Sequence, residues 1–192
     1  KNAFELTGHK DEDAIGRPGS DVLGLRWIGS GDGGQEADTD QNGDTKAALD
    51  WLKVQSFADA RRIGITGFCW GGAVTWENCA RFSEFKAGVA WYGRLSSGMS
   101  PGDASNKNPL DLAAELKCPV LGLYAEKDNG IPLADVEKMK AALKAAGKTT
   151  SDIIVYPAAQ HGFHADYRPS YKKDAAEDGW AKMLAFFKKN GV

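Results

Sequence analysis

Beyond residue 44 the apolar positions follow regular rhythms; before it they follow almost none. The first forty residues hold an acidic run at 11–13, a turn cluster at 16–19 and a glycine-rich stretch at 29–34. Only residues 21–28 (DVLGLRWI) read as a strand there, and Gly24 weakens it. Residues 44–54 read as a helix, with Asp40 or Asp44 as N-cap and Ala48, Trp51 and Leu52 on one face. Short apolar runs then predict strands over 61–66 (RRIGIT), 86–92 (KAGVAWY), 119–124 (PVLGLY) and 151–156 (SDIIVY). Helices are predicted over 71 to about 81, 132–146 and 174–190. In the second of these, Pro132 suits the first helical position. Leu133, Val136, Met139 and Leu143 form its apolar stripe, and Gly147 can supply a left-handed stop. In the last helix Ala176, Trp180, Met183, Leu184 and Phe187 share a face, with Gly191 just after.

Strands alternate with helices, and the strands lack in/out alternation. A mostly parallel sheet covered on both faces reads this way, so one α/β domain over 1–192 is expected. Residues 96–109 (SSGMSPGDASNKNP) read as a polar loop rather than a boundary. Composition agrees: 42% apolar and 26% charged residues with a net charge of −2 suit a globular chain, not a disordered one. With 24 Lys+Arg against 26 Asp+Glu, there is no basic excess for nucleic acid. No apolar run reaches the ~18–20 residues of a membrane helix, so neither nucleic acid nor membrane is expected as a partner. The three cysteines, Cys69, Cys79 and Cys118, have no CxxC spacing and are odd in number.

The chemistry concentrates at Gly67-Phe68-Cys69-Trp70-Gly71-Gly72. A strand precedes this G-x-nucleophile-x-G pattern and a helix follows it. A nucleophile on so sharp a strand-to-helix turn needs small residues before and after it, and Gly67, Gly71, Gly72 and Ala73 meet that need. The helix dipole favours a thiolate at Cys69, and the Trp70 backbone N–H points to where an oxyanion would form. Taken alone, a free cysteine in a glycine-rich turn is more often a buried small apolar residue. A phosphate loop is a poor match, because neither GxxxxGK[ST] nor GxGxxG is present. Cys79 and Cys118 read as packing residues.

A thiol nucleophile needs a base and an orienting acid, which follow such an elbow in the order acid, then histidine. His9 precedes the elbow. His161 follows the strand at 151–156 by a short loop and falls on the sheet's carboxyl edge, where α/β sites lie. Asp128, in the DNG turn after the strand at 119–124, is the preferred acid, with Glu126 as the alternate. An ordinary turn residue or helix cap is an equal reading for Asp128 alone; the joint placement of Cys69, Asp128 and His161 after three strands is the specific feature. His161 and His164 lack a third ligand of the HExxH type, so no metal is expected.

GFCWGG, AWYGRL, PVLGLYAEKDNGIP and HGFHADYRPSY, in this order, resemble the dienelactone hydrolase (carboxymethylenebutenolidase) family of α/β-hydrolases. The likeness runs from about residue 44 to 192. It implies a Cys–Asp–His triad on Cys69, Asp128 and His161, hydrolysis of a small ester or lactone, and no metal or organic cofactor. It also implies more chain before the elbow, with two to four strands, a first helix, and a loop that gives a second oxyanion donor and an acidic residue that helps hold the resting thiol; residues 1–43 show neither that donor nor that acid. The family's substrate arginine, four residues after the histidine, is Ala165 here. Arg168 and Arg94 are the candidate carboxylate clamps, with a solvated surface arginine an equal reading for each alone; Tyr92 and Phe163, with Trp70, Trp91, Tyr167 and Tyr171, are candidate pocket aromatics, Trp91 and Phe163 reading equally as core.

The function expected is therefore a cysteine hydrolase of a small ester or lactone. The alternative is a catalytically impaired relative acting as a binding or scaffold protein. A thiol redox enzyme is a third reading, disfavoured because Cys79 lies about three helical turns from Cys69. Unpaired cysteines suit the cytoplasm; a periplasmic or secreted location is the alternative if an export signal has been removed. Either residues 1–43 cover the exposed sheet edge in a non-family way, or the physiological chain is longer.

Overall fold

The computed structural model describes residues 3–8, 23–28, 41–96 and 107–192. His9, the candidate cap Asp40 and residues 97–106 of the expected polar loop lie outside the described residues. The chain divides into two compact units, residues 1–60 and 61–192.

In the first unit, β1 (Ala3–Gly8) pairs antiparallel with β2 (Leu23–Ile28), Ala3 opposite Ile28 and Gly8 opposite Leu23. Sequence reading misses β1: AFELTG alternates apolar and polar residues, but over a run too short to outweigh its unpatterned surroundings. Helix α1 (Gln41–Lys53) begins three residues earlier than expected, which puts Asp44 in its first turn rather than at its cap. Leu49 and Leu52 are buried while Trp51 is 41% exposed, so Trp51 leaves the face assigned to it.

The second unit holds the parallel sheet. Its strands are β3 (Ile63–Phe68), β4 (Phe85–Trp91), β5 (Val120–Ala125) and β6 (Asp152–Tyr156), side by side in chain order and all parallel. Between and after them run α2 (Trp70–Arg81), α3 (Leu133–Ala145) and α4 (Lys173–Lys189).

Helices cover both faces of this sheet, as the unbroken apolar strands require. On one face α2 lies against β4 and β5. The Trp76 indole N–H donates to the Tyr124 hydroxyl at 3.0 Å, and a Cβ on Gly88 would sit 2.5 Å from the Cys79 sulfur. On the other face α4 lies against Trp91 and Gly64. A Cβ at Gly179 would sit 2.7 Å from the Trp91 ring, and one at Gly64 would sit 2.9 Å from Phe187. Trp76, Trp91, Tyr124, Phe163, Met139 and Met183 are fully buried between these layers. Removing each large side chain from water is worth about 1.5–3 kcal/mol.

Helix α3 departs from expectation at its first turn. Pro132 is the N-cap residue, in extended conformation, and Leu133 is 40% exposed rather than part of the buried stripe. Val136, Met139 and Leu143 keep that stripe. The stop behaves as expected: Gly147 takes φ +67°, and the N–H groups of Lys148 and Gly147 bond the carbonyls of Leu143 and Lys144. A short 3-10 helix, Ala113–Glu115, precedes β5. No helix among the described residues is long and apolar enough to cross a membrane.

Candidate active site

At the carboxyl end of β3 the ladder to β4 continues one residue past the strand. The Cys69 N–H donates to the Trp91 carbonyl at 3.0 Å, and only then does the chain turn into α2. Cys69 absorbs the turn with φ 57° and ψ −118°, a strained conformation for a residue with a side chain. Steric crowding explains the glycines. A Cβ on Gly67 would fall 2.2 Å from the Gly71 carbonyl oxygen, and one on Gly72 would fall 2.5 Å from the Trp91 carbonyl oxygen. A Cβ on Gly71 would meet nothing within 4 Å, so of the small residues expected on the helix side Gly72 is crowded and Gly71 is not. The result is an exposed thiol at a helix N-terminus, standing above the sheet.

Two loops at the same edge are tied to each other. The N–H groups of Glu126 and Lys127 donate to the carbonyls of Tyr156 and Ala159 at 3.0 and 2.8 Å. The Glu126 carboxylate accepts from the Ala158 N–H at 2.7 Å, where Ala158 takes φ 56°. Glu126, the alternate acid, thus serves as a brace between loops and is exposed. Asp128 is only 7% exposed; its Oδ1 accepts from the Gly130 N–H at 2.8 Å, which aims Oδ2 at the His161 Nδ1, 2.7 Å away. The other imidazole nitrogen, Nε2, is 3.1 Å from the Cys69 sulfur. The structure therefore brings Cys69, His161 and Asp128 into one hydrogen-bonded line.

The electrostatics follow from that line. The imidazole of His161 is pushed up to about 9, first by its bond to Asp128, then by its bond to Cys69, with burial opposing. The Cys69 thiol is held below its ordinary value, foremost by the bond to His161. Burial opposes this; the charge of His161, the Trp70 backbone N–H and the charge of Arg168 assist. A thiolate facing an imidazolium is the arrangement these shifts favour.

The remaining candidates separate by position. Arg168 is exposed, but its charge reaches the Cys69 sulfur, and its guanidinium lies 5.8 Å from the Tyr167 ring centre. Arg94 is exposed in the loop after β4. Phe163 is wholly buried against Trp91, Tyr92 and Tyr156, so it supports the site from beneath and does not line a pocket. Tyr92, 3% exposed, sets its ring edge-on to His161 with centres 5.1 Å apart. Burial raises its phenol strongly. Tyr92 also carries φ 36°, a conformation that its neighbourhood in sequence does not announce. His164 packs its ring among Phe68, Trp91 and Trp180, and burial lowers it.

A parallel sheet laid in chain order, a strained elbow at its edge and three polar side chains from successive loops define the α/β-hydrolase fold. The Dienelactone hydrolase family profile matches residues 32–191, and the chain belongs to that family. It is 53% identical over 152 residues to a Methylorubrum extorquens protein named "Putative carboxymethylenebutenolidase", covering 78% of this chain and 50% of that one. An Escherichia coli K12 protein of the same name is 48% identical over 153 residues, covering 77% and 55%. The crystal structure of a "Putative Dienelactone Hydrolase" from Klebsiella pneumoniae superposes with a TM-score of 0.70 at 48% identity, over 76% of this chain and 59% of that one. The chain spans about half the length of the curated relatives it matches.

Proposed function

We infer that the chain carries the catalytic centre of a cysteine hydrolase that opens a small carboxylic ester or lactone through an acyl-enzyme. The observation that carries this reading is the Asp128–His161–Cys69 line, with contacts of 2.7 and 3.1 Å, at an elbow with an exposed thiol. The Cys69 thiolate attacks the substrate carbonyl carbon. The resulting oxyanion takes a hydrogen bond from the Trp70 N–H, the backbone donor next to the nucleophile, which already helps to lower its thiol. The imidazolium of His161 gives its proton to the departing alkoxide, and Asp128 holds the ring in the tautomer that can do so. For a lactone this step opens the ring without releasing a fragment. Water, deprotonated by the now neutral His161, then attacks the thioester carbonyl and frees the acid. Arg168 is the better placed of the two arginines to hold an anionic group of the substrate, because its charge is felt at the sulfur.

The test is turnover of short p-nitrophenyl esters and enol lactones by the wild type, Cys69→Ala and Cys69→Ser. Loss of turnover in Cys69→Ala, with an acyl adduct on Cys69 in the wild type, supports the proposal. Full turnover by Cys69→Ala overturns it. A wild type inactive on the whole panel, whose Cys69 is alkylated only above neutral pH, supports the impaired binding or scaffold protein instead.

A further inference from the structure

Cys79 and Cys118 take no part in this chemistry, yet they are not isolated. Cys79 lies on α2 and is wholly buried; Cys118, just before β5, is 8% exposed. The two thiols are near enough for each to act on the other's ionisation. Two backbone ties hold the pair in place. The Lys117 N–H donates to the carbonyl of Cys79 itself at 2.9 Å, and the Pro119 carbonyl accepts from the Gly88 N–H at 2.9 Å. Beneath the Cys79 sulfur the sheet has only Gly88, where any Cβ would lie 2.5 Å away, so the sulfur occupies a seat made for it. Among the described residues no cluster of three His, Cys, Asp or Glu side chains could hold a metal ion.

We propose that Cys79 and Cys118 are an oxidisable pair that closes into an intramolecular disulfide, cross-linking α2 to the start of β5 independently of the elbow thiol. Hydrogen peroxide serves as the two-electron oxidant. Cys118 reacts first, because it is the less buried of the two. Its thiolate attacks one peroxide oxygen, the O–O bond breaks, and the leaving hydroxide takes up the proton that Cys118 gave up, becoming water. The Cys79 sulfur then attacks the sulfenic sulfur; the S–O bond breaks, and the oxygen leaves as a second water with the Cys79 proton. Two thiols and one peroxide thus become one disulfide and two waters. The bond closes a long loop and removes entropy from the unfolded chain.

The experiment uses the native chain with exposed Cys69 first capped by iodoacetamide. It is then treated with hydrogen peroxide, denatured, alkylated and digested without reduction. The expected product is a monomer lighter by two hydrogen atoms, with one peptide pair joining Cys79 to Cys118. Its thermal midpoint rises by roughly 5–10 °C and falls back with dithiothreitol. In Cys79→Ala, dimedone should trap a sulfenic acid on Cys118. Recovery of both residues as alkylated thiols overturns the proposal, as does a link between chains. The peptide map on the native chain decides even if Cys79→Ala does not fold.

Discussion

The Nε2 atom of His161 sits 3.1 Å from the sulfur of Cys69 across 92 residues of chain. That contact links the two protonation equilibria, and the pH behaviour of the site follows from it. Iodoacetamide labelling of Cys69 should proceed well below the ordinary thiol value of ~8.5, and His161→Gln should return it there. Labelling rate against pH for the two proteins measures this.

Stability should respond to the same pair. The folded-state value of His161, about 9, exceeds its ordinary value of 6.5, so the imidazolium contributes stability that is complete below 6.5 and lost as pH rises through 9. The Cys69 thiolate works in the opposite sense: its contribution is complete above the ordinary thiol range and lost as pH falls through its lowered value. The difference in urea midpoint between wild type and Asp128→Asn should therefore shrink from pH 7 to pH 10.

Asp128→Asn should also lower kcat by roughly 10²–10⁴-fold while leaving the protein folded. Asparagine retains an oxygen for the Gly130 N–H but cannot hold the imidazolium. The kcat against pH profile of a p-nitrophenyl ester, set beside the far-ultraviolet spectrum, separates lost chemistry from lost structure.

The elbow glycines should differ sharply. Gly67→Ala forces a carbon to 2.2 Å from a backbone oxygen and should cost about 1–3 kcal/mol or more. Gly71→Ala has open space and a helical position, and should stabilise by ~0.5–1 kcal/mol. Urea denaturation of the two variants gives both values.

The Trp76–Tyr124 hydrogen bond is buried on both sides. Tyr124→Phe strands the indole N–H and should cost about 1–3 kcal/mol, with little change in Cys69 labelling. Thermal unfolding together with labelling rates tests the pair of expectations.

The sheet and elbow were legible because their signals are local: apolar runs of strand length and a glycine pattern spanning six residues. Asp128 and His161 could be found because the fold fixes their order after successive strands. Contacts between distant, unpatterned positions were not legible. Nothing in the spacing of Cys79 and Cys118 predicts that the fold makes them neighbours. The turns at Tyr92 and Ala158 take positive φ without glycine, so the usual marker is missing. Phe163 was a plausible pocket residue until its complete burial placed it in the core. The sequence could show that Arg168 and Arg94 both follow strands, but not that only the charge of Arg168 reaches Cys69.

The side-by-side order of β3 to β6 has a temporal meaning. Each strand docks on the one made just before it, so the sheet can grow as the chain is synthesised. The sulfur arrives with the first of these strands, its orienting acid after the third, and the base only after the last. Until β6 is in place, Cys69 lacks the imidazole contact that does most to lower its thiol. The order of the chain thus leaves the reactive centre for the last strand to complete.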